Sequence, residues 1–127
     1  MYTDTTSEVV PAPYNQCMAR GPRPTIKRDA EGRMTYKAAI QEGMIEEMER
    51  DARVVCYGED VADYGNAFKL TKGMLEYFGR ARVFNSPISE SAIVGSAVGY
   101  AMCGGRAIVE LMYADFIGCA GDEIFNQ

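Results

Sequence analysis

The stretch "RVVCYGED", residues 53–60, sets the architecture. Four β-favouring or apolar residues run together, Gly58 closes them, and two acids follow at once. An uninterrupted apolar run of this length, ended by a turn residue, reads as a strand buried on both faces, the habit of parallel sheets. Two more such runs lie downstream: "RVFNSPI", 82–88, which turns at Pro87, and "AIVELMY", 107–113.

Helical patterns alternate with these runs. Thr35 is placed to cap a helix in which Tyr36, Ile40, Met44 and Met48 recur at four-residue steps, with Ala39 alongside. The expectation is that this stripe faces the core, with Lys37, Gln41, Glu42, Glu46 and Glu49 mostly turned away. "AFKLTKGMLEYFG", 67–79, reads as a shorter helix with Phe68, Leu75 and Phe78 inward and Gly79 as its terminator. Residues 91–103 form a helix stopped by Gly104 and Gly105, and a last helix starts near Asp115. Helix and strand alternating in this way specify an α/β fold, a parallel sheet flanked by helices. Ligands of such sheets bind beyond the carboxyl ends of the strands. Glu59, Glu90 and the segment around Met112 all fall at that edge.

Composition narrows the function. The chain has 127 residues, room for one domain, and a net charge of −5. That charge and the lack of a basic cluster with interleaved aromatics argue against nucleic acid or an anionic membrane as partner. No apolar stretch reaches membrane-spanning length and no signal-peptide core is visible, so a cytoplasmic location is expected. Cys17, Cys56, Cys103 and Cys119 show no CxxC spacing, and three of them fall in segments that read as core. Free buried thiols are therefore expected, and no metal site. Without histidine, nucleophile–histidine systems are excluded, and acid–base chemistry falls to carboxylates, lysines, tyrosines or a cofactor. Residues 1–33 hold four of the five prolines and no helical period; they read as an extended leader or linker before a domain at 34–127.

"SPISESAIVGSAVGYAM", 86–102, sets one carboxylate, Glu90, before a helix of small residues with Gly95 and Gly99 four apart. An acid at a helix start has an ordinary explanation, since the helix dipole favours it by roughly 0.3–1 kcal/mol. Two features point further. Each interior glycine costs roughly 1 kcal/mol against alanine, a cost that makes sense where another backbone approaches closely. An acid bordered by apolar strands is also a candidate for desolvation, which raises a carboxyl's pKa and lets it exchange a proton near neutrality.

At these residues the chain resembles the N-terminal part of the beta chain of thiamine-diphosphate-dependent 2-oxoacid dehydrogenase decarboxylating components, of the pyruvate and branched-chain type. Four blocks carry the resemblance: "TYKAAIQEGMIEEMERDARVVCYGEDV", "YGNAFKLTKGMLEYFG", "RVFNSPISESAIVGSAVGYAMCGGRAIVE" and "MYADFIGCAGDEIFNQ". The family's pattern is a glutamate, four residues, glycine, an apolar residue, two more and glycine; here it is Glu90, Gly95, Ser96 and Gly99. Ser96 departs from the apolar slot, and Tyr100 stands where some relatives carry glutamine.

The resemblance implies a transketolase-like pyrimidine-binding domain, incomplete at its C-terminus. It implies that Glu90 hydrogen-bonds a ring nitrogen of the aminopyrimidine and favours the imino tautomer that takes the thiazolium proton. Met112 and Phe116 would line the ring's pocket, and Glu59 would relay protons. Asp60 and Tyr113 are read as structural or solvated. The GDG sequence that anchors magnesium and diphosphate in thiamine enzymes is absent, "GDE" at 121–123 lying at the wrong place. An alpha chain would therefore hold Mg2+ and the diphosphate, with the site between chains. A second beta chain, met through the Gly95/Gly99 helix, and a lipoyl acyltransferase core are further partners the resemblance implies. Other readings stay open at this point. They are another thiamine enzyme (transketolase-like or acetoin-cleaving), a non-catalytic interaction module of the same fold, and a receiver-like domain suggested by Glu59 and Asp60.

Overall fold

The computed structural model describes residues 21–127. Along the chain run α1 (Tyr36–Arg50), β1 (Val54–Gly58), α2 (Met74–Phe78), β2 (Val83–Asn85), α3 (Glu90–Met102), β3 (Arg106–Glu110), a 3-10 segment (Ala114–Ala120) and α4 (Gly121–Phe125). The three strands form one parallel sheet in the order β2–β1–β3. Cys56 lies opposite Val83 on one side, and Gly58 opposite Glu110 on the other. The α/β class and the parallel sheet are as the sequence implies. Among the described residues no helix is long and apolar enough to cross a membrane.

The first helix starts where expected. Thr35 is extended, and its Oγ1 accepts from the Ala38 amide at 3.2 Å, satisfying one of the donors a helix start leaves unpaired. Its buried face keeps only the C-terminal half of the stripe that the four-residue steps marked, Met44 and Met48. Tyr36 is 84 % exposed and Ile40 is also exposed, whereas Ile45 and Met48 are sealed. Only the C-terminal half of α1 meets the sheet, so the inward seam runs through Met44, Ile45 and Met48. Cys56, Val54, Val61, Met74, Phe78 and Val83 complete this core. Burying each large apolar side chain stabilises by roughly 1.5–3 kcal/mol.

The stretch 67–79 also departs from the expected helix. Residues 67–73 are turns, and only Met74–Phe78 is helical. Asn66 and Lys69 adopt left-handed backbone (φ 57° and 58°), which breaks helical continuity. Phe68 is 63 % exposed rather than inward; Phe78 is buried, and Gly79 ends α2 as expected. β1 fills its apolar run, β2 and β3 are shorter than theirs, and the last helix resolves into the 3-10 segment and α4. Only Cys56 of the described cysteines is buried; Cys103 and Cys119 are exposed, which corrects the expectation of core thiols there. Burial pushes the Cys56 thiol up to about 12. Cys17 lies outside the described residues.

One buried charge locks α1 to the sheet. Arg82 is 8 % exposed, and its guanidinium donates to the carbonyls of Met48 (2.7 Å), Asp51 (2.8 Å) and Val54 (2.8 and 2.9 Å). It also lies 5.1 Å over the Phe78 ring. The arginine thus takes the carbonyls that the end of α1 leaves unpaired. Residues 21–33 carry no helix or strand; Arg23 pairs with Glu49 and Arg28 with Glu42 of α1, and Ile26 packs on the core.

The opposite face of β1 meets α3. Tyr57 stacks on Phe84 (4.8 Å, 9°), and its hydroxyl lies 2.7 Å from Ser96 Oγ; both hydroxyls reach the Ile93 carbonyl. Ser96 therefore occupies its slot as a partner for a buried tyrosine. Tyr100 has a similar explanation: its hydroxyl donates to the Arg53 carbonyl at 2.8 Å, and its ring lies against Gly105, where any side chain would collide with it.

Candidate functional site

The carboxyl ends of β1 and β3 are pressed together at Gly58. A side-chain carbon there would lie 2.7 Å from the Glu110 carbonyl oxygen, so only glycine permits this approach. The next residue, Glu59, is 8 % exposed, and its Oε1 is buried without a hydrogen-bond partner. Glu110 accepts from Asn66 Nδ2 at 3.0 Å through one oxygen, while its Oε2 is buried and unpaired. After β2, the Ser86 amide donates to the Gly58 carbonyl, and Ser86 Oγ is a third buried polar atom without a partner. Ser89 then leads into α3, whose first residue is Glu90, half-buried.

Electrostatics binds these acids into one site. Burial raises the Glu59 carboxyl above its ordinary range, and the charges of Glu90 and Asp60 add to the effect. Burial also raises Glu110; the Asn66 hydrogen bond opposes this, and Glu59 and Asp60 reinforce it. Close like charges that lack water cannot all ionise at low cost. At neutral pH this edge therefore binds protons more readily than free carboxylates would. The desolvated acids are thus Glu59 and Glu110, and Glu59 is the one near Glu90, the acid that the sequence singled out.

Of the residues marked in advance, Glu59 and Glu90 stand near enough for one charge to shift the other. Met112 is half-buried beyond β3, and Phe116 is 44 % exposed in the 3-10 segment. That segment is tied to the start of α3 by Ser91 Oγ, which donates to the Cys119 carbonyl at 2.6 Å. Asp60 is exposed, and Tyr113 meets Phe68 edge-on at 5.9 Å. Sequence reasoning missed Glu110 and Asn66. Glu110 carried a signal, being the only charge in "AIVELMY". Asn66 carried none: it is 1 % exposed, and its Oδ1 accepts from the Phe68 and Leu70 amides to hold the 60–73 loop against the strand ends.

Gly95 and Gly99 part company. A side-chain carbon at Gly95 would come within 3.3 Å of Glu123 Cγ, so the close neighbour is α4 of the same chain. At Gly99 the space is open, and the adjoining surface of α3 is exposed.

This edge is lined with proton-sharing acceptors and holds unpaired polar atoms. It opposes a diphosphate, which the same carboxylates would repel.

Comparison with known proteins identifies the family. The family described as "Transketolase, pyrimidine binding domain" matches residues 32–127. The chain is 49% identical over 94 residues to "2-oxoisovalerate dehydrogenase subunit beta" of Bacillus subtilis (strain 168), covering 74% of this chain and 29% of that protein. It is 46% identical over 89 residues to "Pyruvate dehydrogenase E1 component subunit beta-3, chloroplastic" of Arabidopsis thaliana, covering 70% and 22%. Against "Pyruvate dehydrogenase E1 component subunit beta" of Rickettsia bellii (strain RML369-C) identity is 46% over 94 residues, covering 74% and 29%. The chain thus spans less than a third of the length of these relatives.

Proposed function

The chain belongs to the family of transketolase pyrimidine-binding domains, and from that premise we propose that it supplies the pyrimidine half of a thiamine diphosphate site in a 2-oxoacid dehydrogenase beta subunit. The observation that carries this reading is the placement of Glu90 in the first turn of the small-residue helix α3, beside the buried acid Glu59 at the carboxyl edge of the sheet. An alpha chain holds Mg2+ and the diphosphate, in keeping with the acidic character of this edge.

When bound, the cofactor supplies an acidic thiazolium carbon and the electron sink that decarboxylation of a 2-oxoacid requires. The chain's own residues manage protons and position. Glu90 would hold a ring nitrogen of the bound cofactor through a hydrogen bond at its Oε. Beside it, Glu59, whose carboxyl burial raises above its ordinary range, would take up a proton more readily than a free glutamate. Met112 and Phe116 offer apolar walls to the ring, and Asn66 fixes Glu110 behind the site. The substrate is pyruvate or a branched-chain 2-oxoacid, and a lipoyl acyltransferase receives the acyl group.

The test is reconstitution with an alpha chain and assay of carbon dioxide release from pyruvate and from 2-oxoisovalerate. Glu90→Gln is expected to lower turnover at least about a hundredfold while alpha-chain binding is kept, the scale of a lost proton-transfer partner. Undiminished turnover would remove Glu90 from the chemistry. A transketolase-like or acetoin-cleaving activity would appear instead as turnover on ketose phosphates or acetoin with none on 2-oxoacids.

A further inference from the structure

The basic residues divide cleanly by type. Every described arginine is engaged: seven pair with carboxylates and Arg82 takes carbonyls. The chain has four lysines, and none pairs with an acid among the described residues. All four, Lys27, Lys37, Lys69 and Lys72, line a single cleft of about 650 Å³ between the 21–33 segment, the start of α1 and the 66–73 loop. Among the described residues no carboxylate lines it.

In a chain of net charge −5, gathering all four lysines around one cleft with no carboxylate among its described lining residues makes the local potential positive. The donors are available. Lys37 Nζ uses one hydrogen on the Phe68 carbonyl (3.0 Å) and Lys69 Nζ one on the Tyr64 carbonyl (2.9 Å). An ammonium has three, so Lys37 keeps two, whereas the Lys69 ammonium also lies 2.7 Å over the Tyr64 ring and is largely engaged there. The ammonium groups of Lys27 and Lys72 have no partner among the described residues. Thr35, the cap of α1, also lines the cleft, so the positive end of a 15-residue helix faces it. Ile26 adds an apolar wall. The volume is that of sites for small organic ligands.

We propose that this cleft binds a small metabolite bearing several oxyanion charges, phosphate or carboxylate. The proposal is independent of the role assigned to Glu90, which lies at the sheet edge and lines no part of this cleft.

The test is titration calorimetry on the chain in the assembly with which it purifies, using pyrophosphate, ATP and citrate as probes. Saturable binding is expected, weakened at least about fivefold between 50 and 300 mM salt, because exposed ion contacts are screened on that scale. The double variant Lys27→Ala/Lys72→Ala is expected to weaken binding at least about tenfold with an unchanged thermal melt, since neither ammonium holds the fold. Binding of pyrophosphate and ATP but not citrate identifies a phosphate ligand, and the reverse identifies a polycarboxylate. Absence of saturable binding by all three probes overturns the proposal, as does binding that the double variant leaves intact. Hydrogen exchange showing the cleft already covered by an acidic segment of a partner chain would overturn it as well.

Discussion

Arg82 shows how much one side chain carries in this fold. Its planar fork reaches three carbonyls at once, at the end of α1 and the start of β1. Removing it leaves those carbonyls buried and unpaired, each at a cost of about 1–3 kcal/mol before relaxation. Arg82→Met is expected to destabilise the chain by about 3 kcal/mol, a fall in Tm on the order of 10 °C or more. Arg82→Lys should recover little, because a single ammonium cannot copy the fork. Thermal melts of both variants check this; an unchanged Tm for the lysine variant would contradict it. Nothing in "ARVFNSP" announces the role, since an arginine at a strand start is ordinarily solvated. The acids were more legible. Glu59 stood out because it follows an apolar run and Glu90 because it precedes a small, apolar one, whereas Glu110 was hidden inside a run read as strand to residue 113.

At the scale of elements, α3 separates two meanings of glycine. The sequence placed this helix correctly, within a residue at either end, because small apolar residues between Pro87 and Gly104 leave little alternative. It could not show that Gly95 faces Glu123 while Gly99 faces open space. Gly99→Ala is expected to stabilise the isolated chain by about 0.5–1 kcal/mol, the intrinsic helix gain. Gly95→Ala should gain less or lose, because Glu123 must shift to admit a methyl group. Denaturant unfolding of the two variants tests the contrast. If a second chain seats on the exposed face of α3, the Gly99→Ala gain turns into weakened association in the assembly. The first helix met the sequence reading only in part, for a related reason. A four-residue step marks a stripe but not how far the helix overlaps its sheet, and here Tyr36 and Ile40 lie beyond the overlap.

At the scale of the whole molecule, acids shifted in opposite directions set the dependence on pH. The Arg53 guanidinium holds Asp51 down at about 2. A lowered pKa means stability present above the ordinary range and lost as pH falls toward 2, about 2 kcal/mol at most. Glu59 and Glu110 are raised, so their contribution is full below the ordinary carboxylate range and lost as pH rises through their higher values. The isolated chain is therefore expected to lose stability as pH rises above the ordinary carboxylate range, where Glu59 and Glu110 are made to ionise. Glu59→Gln should raise Tm at pH 8 and flatten the profile between pH 5 and 8. A Tm lowered at pH 8 by that substitution would show that the raised acid is not a liability. Met102 and Phe125 are 81 % and 76 % exposed on the α3–α4 side, together with Phe116 and Ile117. Sedimentation of the isolated chain is expected to show concentration-dependent self-association, as apolar patches of this kind produce.

The division of labour between guanidinium and ammonium groups has a practical corollary. Apart from the amino terminus, every primary amine lies around one cleft, so acylating reagents and lysine cross-linkers label a single side of the protein. That side can be tagged, tethered to a surface or mapped against neighbours while the acid-lined sheet edge is left chemically untouched.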